Sequence, residues 1–98
     1  MPSPAHSYVV IFDGVSVPEF TAALERLDSS AAAMNWMVAM PRTVFVVSKM
    51  NAADLAIFLR QLIPGIDRLI VLDGQGDRGG RMPQSAWDFL DHPAPRHV

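Results

Sequence analysis

The amino-acid sequence predicts an α+β fold in which four strands and two main helices alternate. Three observations support it: short apolar runs typical of strands, longer segments with apolar residues at helical spacing, and turn-forming residues between them. Their order along the chain is strand, helix, strand, strand, helix, strand. This is the order of a split βαβ, or ferredoxin-like, sandwich, and a short extra helix is predicted near the C-terminus. Because this architecture hosts many functions, it predicts no activity by itself.

The chain begins with a strand and a helix. Residues 7–13 read SYVVIFD, and such a continuous apolar run is typical of a central strand that is buried, or nearly buried, on both faces. The first helix is predicted over residues 18–27. Ser16 and Glu19 have the spacing of a capping box, and Pro18 suits the first turn.

A hairpin is predicted next. Residues 34–40 and 43–48 are both strand-like, the second being especially rich in β-branched and aromatic residues. Pro41 and Arg42 lie between them, so we expect these two residues to form the turn.

The second half repeats the alternation of helix and strand. Residues 52–63 form the second predicted helix, with Asn51 as its cap and Asp54 at the position that completes a capping pair. Pro64 and Gly65 end this helix. The remaining predicted elements are a strand over residues 68–73, a glycine-rich loop over residues 74–81 and a short helix over residues 83–90 that docks through Ala86, Trp87 and Leu90.

Two helices of this length cover one face of a four-stranded sheet. Large apolar residues remain for the second face, and they are Tyr8, Met34, Trp36, Met37, Met40 and Phe45. An uncovered apolar face is typical of a protein that binds a partner or a second copy of itself. We therefore expect a homodimer.

Length and composition predict one domain over residues 7–91, with disordered tails over the proline-rich residues 1–6 and 92–98. The absence of cysteine excludes disulfides and thiolate metal sites. Neither a signal-peptide pattern nor an apolar run of about 20 residues is found, so we expect a cytoplasmic protein without a membrane partner. The net charge of −2 and the scattered basic residues are unlike a dedicated nucleic-acid binder.

Asp13 is the first candidate for chemistry. It ends a hydrophobic strand and precedes Gly14, so its carboxylate is expected at the edge of the sheet. Two such residues across a dimer axis could hold Mg²⁺ through carboxylate oxygens and waters. Alternatively, Asp13 and Gly14 simply begin a turn. Asp67, Arg68 and Asp73 flank the fourth strand; they could act as functional acids and bases, but they are interpreted as solvated strand ends.

Two further patterns are weaker. Gly74, Gly76 and Gly79 match a G-x-G-x-x-G string, but no helix follows directly, so this segment is interpreted as a loop. The three histidines lie in the predicted tails without a Ser or Asp partner at meaningful spacing, which argues against a histidine triad or metal cluster.

Several segments resemble the Cas-two family of small CRISPR-adaptation proteins and its stand-alone, SinR-like relatives. They are YVVIFD ending in Asp13, PRTVFVV over residues 41–47, IDRLIVL over residues 66–72 and AWDFL over residues 86–90. The resemblance implies a ferredoxin-like homodimer whose sheets face each other. In catalytic members of that family, the aspartate that ends the first strand binds a divalent metal and supports phosphodiester hydrolysis, a role that would fall on Asp13.

The leading hypothesis is therefore a Cas-two-like homodimer related to nucleic-acid processing, as a Mg²⁺-dependent nuclease. Asp13 is its catalytic residue and metal ligand, and Arg42 and Lys49 are its candidate phosphate contacts. The alternative is a non-catalytic protein-interaction module, such as a toxin–antitoxin component, a phage-encoded inhibitor or a regulatory subunit. A small-molecule-sensing domain is a third hypothesis that the sequence leaves open.

Overall fold

The computed structural model describes residues 4–95, which form an α+β domain with a four-stranded antiparallel sheet and three helices. The elements are β1 (His6–Asp13), α1 (Val17–Asp28), β2 (Asn35–Met40), β3 (Thr43–Ser48), α2 (Ala52–Leu62), β4 (Arg68–Asp73) and α3 (Gln84–Asp91). Each boundary lies within one residue of its prediction. Residues 1–3 and 96–98, which belong to the predicted tails, lie outside the described residues.

The strand order of the sheet is β2-β3-β1-β4, and all neighbouring strands are antiparallel. β3 therefore lies between the two strands that α1 connects, and β1 lies between the two strands that α2 connects. This insertion makes β1 and β3 the central strands, which explains their continuous apolar runs. Every residue of β3 is buried.

The helices begin as the sequence predicts. Ser16 Oγ accepts a hydrogen bond from the backbone N–H of Glu19 at 3.3 Å, and the Glu19 carboxylate accepts one from the backbone N–H of Ser16 at 3.4 Å. In α2, Asn51 Oδ1 accepts from the backbone N–H of Asp54 at 2.8 Å. These caps satisfy N–H groups that have no partner within the helix.

α1 and α2 cover one face of the sheet, here called the helix face, and form the main core with it. The strand residues that point to this face alternate along β1 and β3, as expected for a pleated strand. The fully buried members of the core include Tyr8, Val10, Phe12, Leu27, Val44, Val46, Leu55 and Leu59. Tyr8 and Trp36 pack on this side, so their predicted place on the second face is wrong.

The second face is partly covered by α3, which corrects the expectation of a wholly open face. Phe45 is buried beneath Ala86 and Leu90 in a separate apolar cluster. Ser7 Oγ donates a hydrogen bond to the Leu90 carbonyl at 2.6 Å, which ties the end of α3 to β1. The predicted docking of this helix through Ala86 and Leu90 is confirmed.

The glycine-rich loop before α3 is held by one arginine. The Arg78 guanidinium donates to the Gly74 carbonyl and to the Asp91 carboxylate, and it stacks over the Trp87 ring at 5.2 Å. The loop is therefore fastened to the middle and the C-terminal end of the short helix.

α3 leaves the β1–β4 side of the second face uncovered. Ile11, Ile70 and Leu72 point away from the helix face and are between 41% and 50% exposed. Ile11 pairs directly with Ile70 across the two strands. These three residues are called the open patch below. Within residues 4–95, no helix has both the length and the apolar character required to cross a membrane.

Candidate functional site at the Asp13 end of the sheet

Three segments meet at one end of the sheet: the last residue of β1, the first residue of β4 and the β2–β3 turn. Asp13 pairs in register with Arg68 on the neighbouring strand. The backbone N–H of Phe12 donates to the Arg42 carbonyl at 3.1 Å. The sheet therefore brings together two of the three predicted site residues, Asp13 and Arg42, and adds Arg68.

Asp13 and Arg68 form an ion pair in which Arg68 contacts only one of the two carboxylate oxygens. Arg68 Nε and Nη2 both donate to Asp13 Oδ2, at 2.9 and 2.5 Å. Oδ1 of Asp13 is buried and has no hydrogen-bond partner among the described residues. The Asp13 side chain is 29% exposed, whereas that of Arg68 is 85% exposed.

The charges at this site stabilise the ionised form of Asp13. The hydrogen bonds from Arg68 lower the pKa of the Asp13 carboxyl; burial opposes this shift, and the nearby charge of Arg42 adds to it. Asp13 in turn raises the pKa of Arg68. Both side chains are therefore charged at neutral pH.

Arg42 has a left-handed backbone conformation, with φ of 62°. It lies in the two-residue connection between Met40 and Thr43, which face each other across the hairpin. Glycine or asparagine is the usual residue where a tight turn requires positive φ, because other side chains cost about 1–2 kcal/mol there. Strained residues of this kind cluster at functional sites. Arg42 therefore combines a strained backbone with a place at the Asp13 end of the sheet.

Asp13, Arg42 and Arg68 border an open concavity on the surface. Ile11 and Ile70 also line it, so the concavity is continuous with the open patch. The site consequently combines two guanidinium groups and a carboxylate with an adjoining apolar surface.

The chain turns sharply after Asp13, as the alternative interpretation of this sequence predicts. Gly14 has φ of +80°, and the backbone N–H of Asp67 donates to the Asp13 carbonyl at 3.2 Å. A Cβ at Gly14 would lie 2.4 Å from Asp67 Oδ2. The turn is thus part of the site, and it places a second carboxylate, that of Asp67, next to Gly14.

Within a single chain, the donor set at this end does not suit a magnesium ion. Mg²⁺ is usually bound through one or two carboxylates and retains several waters, which it gives up reluctantly. The accessible oxygen of Asp13 is already bound by the Arg68 guanidinium, and the other oxygen is buried. No group of three or more His, Cys, Asp or Glu side chains suited to a metal occurs within residues 4–95.

Lys49, the third predicted site residue, lies at the opposite end of the sheet, just after β3. About eight residues of strand separate it from the level of Asp13, or roughly 25 Å at about 3.3 Å per residue. It borders a different concavity together with His6 and Asp73. The structure therefore does not bring Lys49 to the Asp13 site.

Asp73, interpreted from sequence as a solvated strand end, is paired across the same two strands. His6 Nε2 lies 2.7 Å from Asp73 Oδ1. The pKa of Asp73 is lowered, first by the hydrogen bond from the Gln75 backbone N–H and then by the one from His6. Each end of the β1–β4 pair thus carries one hydrogen-bonded pair of side chains.

Arg68 is the residue of the site that sequence reasoning missed. Its partner is 55 positions earlier in the chain. The interaction follows from the antiparallel register of β1 and β4, which the apolar pattern of either strand does not specify. An arginine that opens one edge strand and an aspartate that ends a central strand would be the only signal in the sequence.

Comparison with known proteins gives no relative for this chain. No family model, no curated protein and no solved structure matches it. The resemblance to the Cas-two family therefore stays an expectation from the segments that carry it.

Proposed function

We propose that this domain is a ferredoxin-like, Cas-two-like homodimer that binds nucleic acid through phosphate contacts at the Asp13 end of its sheet. The observation that carries the proposal is the concavity bordered by Asp13, Arg42 and Arg68. The strand order β2-β3-β1-β4, with its two inserted strands, supports the ferredoxin-like part of the proposal.

Two arginines in one concavity favour a phosphate-bearing ligand. The guanidinium group is planar and always charged, and its N–H groups match the oxygens of phosphate. Arg68 uses only two of its N–H groups for Asp13, and its side chain is largely exposed. An open concavity can also accept an extended nucleic-acid chain more readily than an enclosed pocket can.

A second copy of the chain would increase the number of cations available to a nucleic acid. One domain with a charge of −2 presents few cations in one place. The open patch adjoins the concavity, so a two-fold contact there would place two such sites on one surface. We therefore propose the open patch as the dimer contact.

The proposal is tested by binding of labelled single- and double-stranded DNA and RNA at several salt concentrations. We expect binding that weakens steeply with salt, because released counterions drive phosphate contacts. Arg42→Gln and Arg68→Gln should each reduce the slope of log affinity against log salt by about 1. Arg60→Gln, an exposed residue on α2, is the matched control and should leave the slope unchanged. No binding at low salt would contradict the proposal.

The same reactions with Mg²⁺ test the expectation of a nuclease. Cleavage by the wild-type protein that disappears in Asp13→Ala would assign a catalytic metal to Asp13. Equal cleavage by the two proteins, or cleavage by neither, would mean that the domain binds nucleic acid without a catalytic metal at Asp13.

The open patch also favours a second candidate, the non-catalytic protein-interaction module. Its exposed apolar side chains on a sheet face are typical of a protein contact. This candidate predicts a stable complex with a partner protein that Asp13→Ala leaves intact and Ile70→Glu abolishes. A complex that depends on Asp13 would contradict it.

A further inference from the structure

Resting on the proposed function, we infer that the Asp13 end of the sheet is a metal-independent phosphate-binding site in which Asp13 positions Arg68. The phosphate group of a nucleic acid contacts the guanidinium groups of Arg68 and Arg42. Asp13 is then a positioning residue and neither a metal ligand nor a catalytic base.

The geometry of the Asp13–Arg68 pair supports this assignment. Both donors of Arg68 converge on a single oxygen, Oδ2, so the carboxylate fixes the edge of the guanidinium that carries Nε and Nη2. A guanidinium has five N–H donors, and three of them remain for a ligand. At 85% exposure, the side chain would otherwise sample many rotamers. Holding it in one orientation lowers the entropy lost when a phosphate binds.

The second cation belongs to Arg42, whose backbone is fixed by the hairpin turn. The left-handed Arg42 lies in a two-residue turn whose carbonyl is anchored by the N–H of Phe12. Its guanidinium has no hydrogen-bonded partner among residues 4–95 in the structure. A short turn that keeps arginine where glycine is favoured places a second cation at the concavity that Arg68 borders.

The same arrangement disfavours a metal ion. A cation would have to displace Arg68 from Oδ2 or reach the buried Oδ1 without its hydration shell. Asp67 brings a second carboxylate close to Gly14, so the site balances two arginines against two acids. Recognition therefore depends on the position of the guanidinium N–H groups and not on net charge.

The test measures binding of a fluorescein-labelled 20-nucleotide single-stranded RNA, and of the matching DNA, by the full chain in EDTA and in Mg²⁺. We expect affinities within about twofold of each other in the two buffers. Arg68→Gln should weaken binding at least about tenfold, since a hydrogen bond to a charged group is typically worth that much or more. Arg68→Lys should not restore it, because lysine keeps the charge but lacks the fork.

A double-mutant cycle separates positioning from direct contact. Asp13→Asn should weaken binding several-fold, and Asp13→Asn combined with Arg68→Gln should be no weaker than Arg68→Gln alone. Circular dichroism checks that each variant is folded. Arg42→Gln leaves the Asp13–Arg68 pair intact and therefore measures the contribution of the second arginine to binding independently of that pair.

The outcomes distinguish this inference from the proposed function. Binding that requires Mg²⁺ and is lost in Asp13→Asn would overturn the inference and leave nucleic-acid binding standing. Additive effects of Asp13→Asn and Arg68→Gln would overturn the positioning role. Absence of binding in both buffers would overturn the proposed function together with the inference.

Discussion

At the scale of single residues, Gly14 determines how the Asp13 end of the sheet is built. Its φ of +80° and the nearby Asp67 side chain leave no room for a Cβ. We expect Gly14→Ala to lower the free energy of unfolding by about 1–3 kcal/mol, from the left-handed conformation and the steric overlap with Asp67. Urea denaturation measures this change.

Gly76 provides the matched control for this prediction. A Cβ there meets nothing within 4 Å, and its φ is not in the left-handed region. Gly76→Ala should change the free energy of unfolding by no more than about 0.5 kcal/mol. Equal effects of the two substitutions would show that neither the conformation nor the Asp67 contact at Gly14 matters.

The Asp13–Arg68 pair makes a prediction about pH. Arg68 lowers the pKa of Asp13 from the ordinary value of 3.8. Because the folded-state pKa is depressed, the contribution of this pair to stability is present above the ordinary pKa and is lost as the pH falls through the folded value. Arg68→Gln should therefore raise the pKa of Asp13, as measured by NMR titration of its carboxyl carbon. An unchanged pKa in the variant would contradict the ion pair.

At the scale of secondary-structure elements, α3 is stabilised by a small apolar cluster. Leu90 is 2% exposed and packs with Phe45 and Ala86 on the second sheet face. Leu90→Ala should lower the free energy of unfolding by about 2–5 kcal/mol, as is usual for a buried leucine. Ile57→Ala, at a 53% exposed position on α2, is the control and should cost much less. Similar losses at the two positions would contradict the docking of α3 in the structure.

The elements themselves were predictable because their signals are local. Ser16 and Glu19 mark the start of α1 within four residues, and Pro41 and Arg42 mark the hairpin turn in two. The covering of the second face by α3 was not predictable in full. It depends on Phe45, Ala86 and Leu90 meeting across about 40 residues, and the amphipathic pattern of a helix does not name the face it packs against.

The candidate site was predictable only in part, for the same reason. The end of β1 identifies Asp13, and the turn identifies Arg42, because both are local features of the sequence. The pairing of Asp13 with Arg68 requires the β1–β4 register. The sequence does not specify the direction of β3 relative to β1, and the antiparallel arrangement puts Lys49 and Asp13 at opposite ends of the sheet.

At the scale of the whole molecule, the two faces of the sheet are covered to different extents. The helix face is closed by two helices, whereas the α3 cluster involves residues of β2, β3 and β1 but none of β4 on the second face. The open patch that remains is continuous with the concavity of the candidate site. A two-fold contact through this patch would therefore determine how the two phosphate sites are spaced.

This arrangement predicts that self-association and nucleic-acid binding are coupled. Ile70→Glu places a charge in the centre of the open patch, and burying an unpaired charge is costly. We expect sedimentation velocity to show a dimer for the wild-type protein and a monomer for Ile70→Glu. Ile57→Glu, at an equally exposed position on α2, should stay dimeric.

Binding of nucleic acid then gives a second readout of the same change. A monomer offers one phosphate site where the dimer offers two, and the salt dependence of binding is proportional to the number of phosphates contacted. The slope of log affinity against log salt should therefore fall by about half in Ile70→Glu and stay unchanged in Ile57→Glu. A wild-type monomer, or a full slope in monomeric Ile70→Glu, would mean that each domain binds nucleic acid on its own and that the open patch serves another contact.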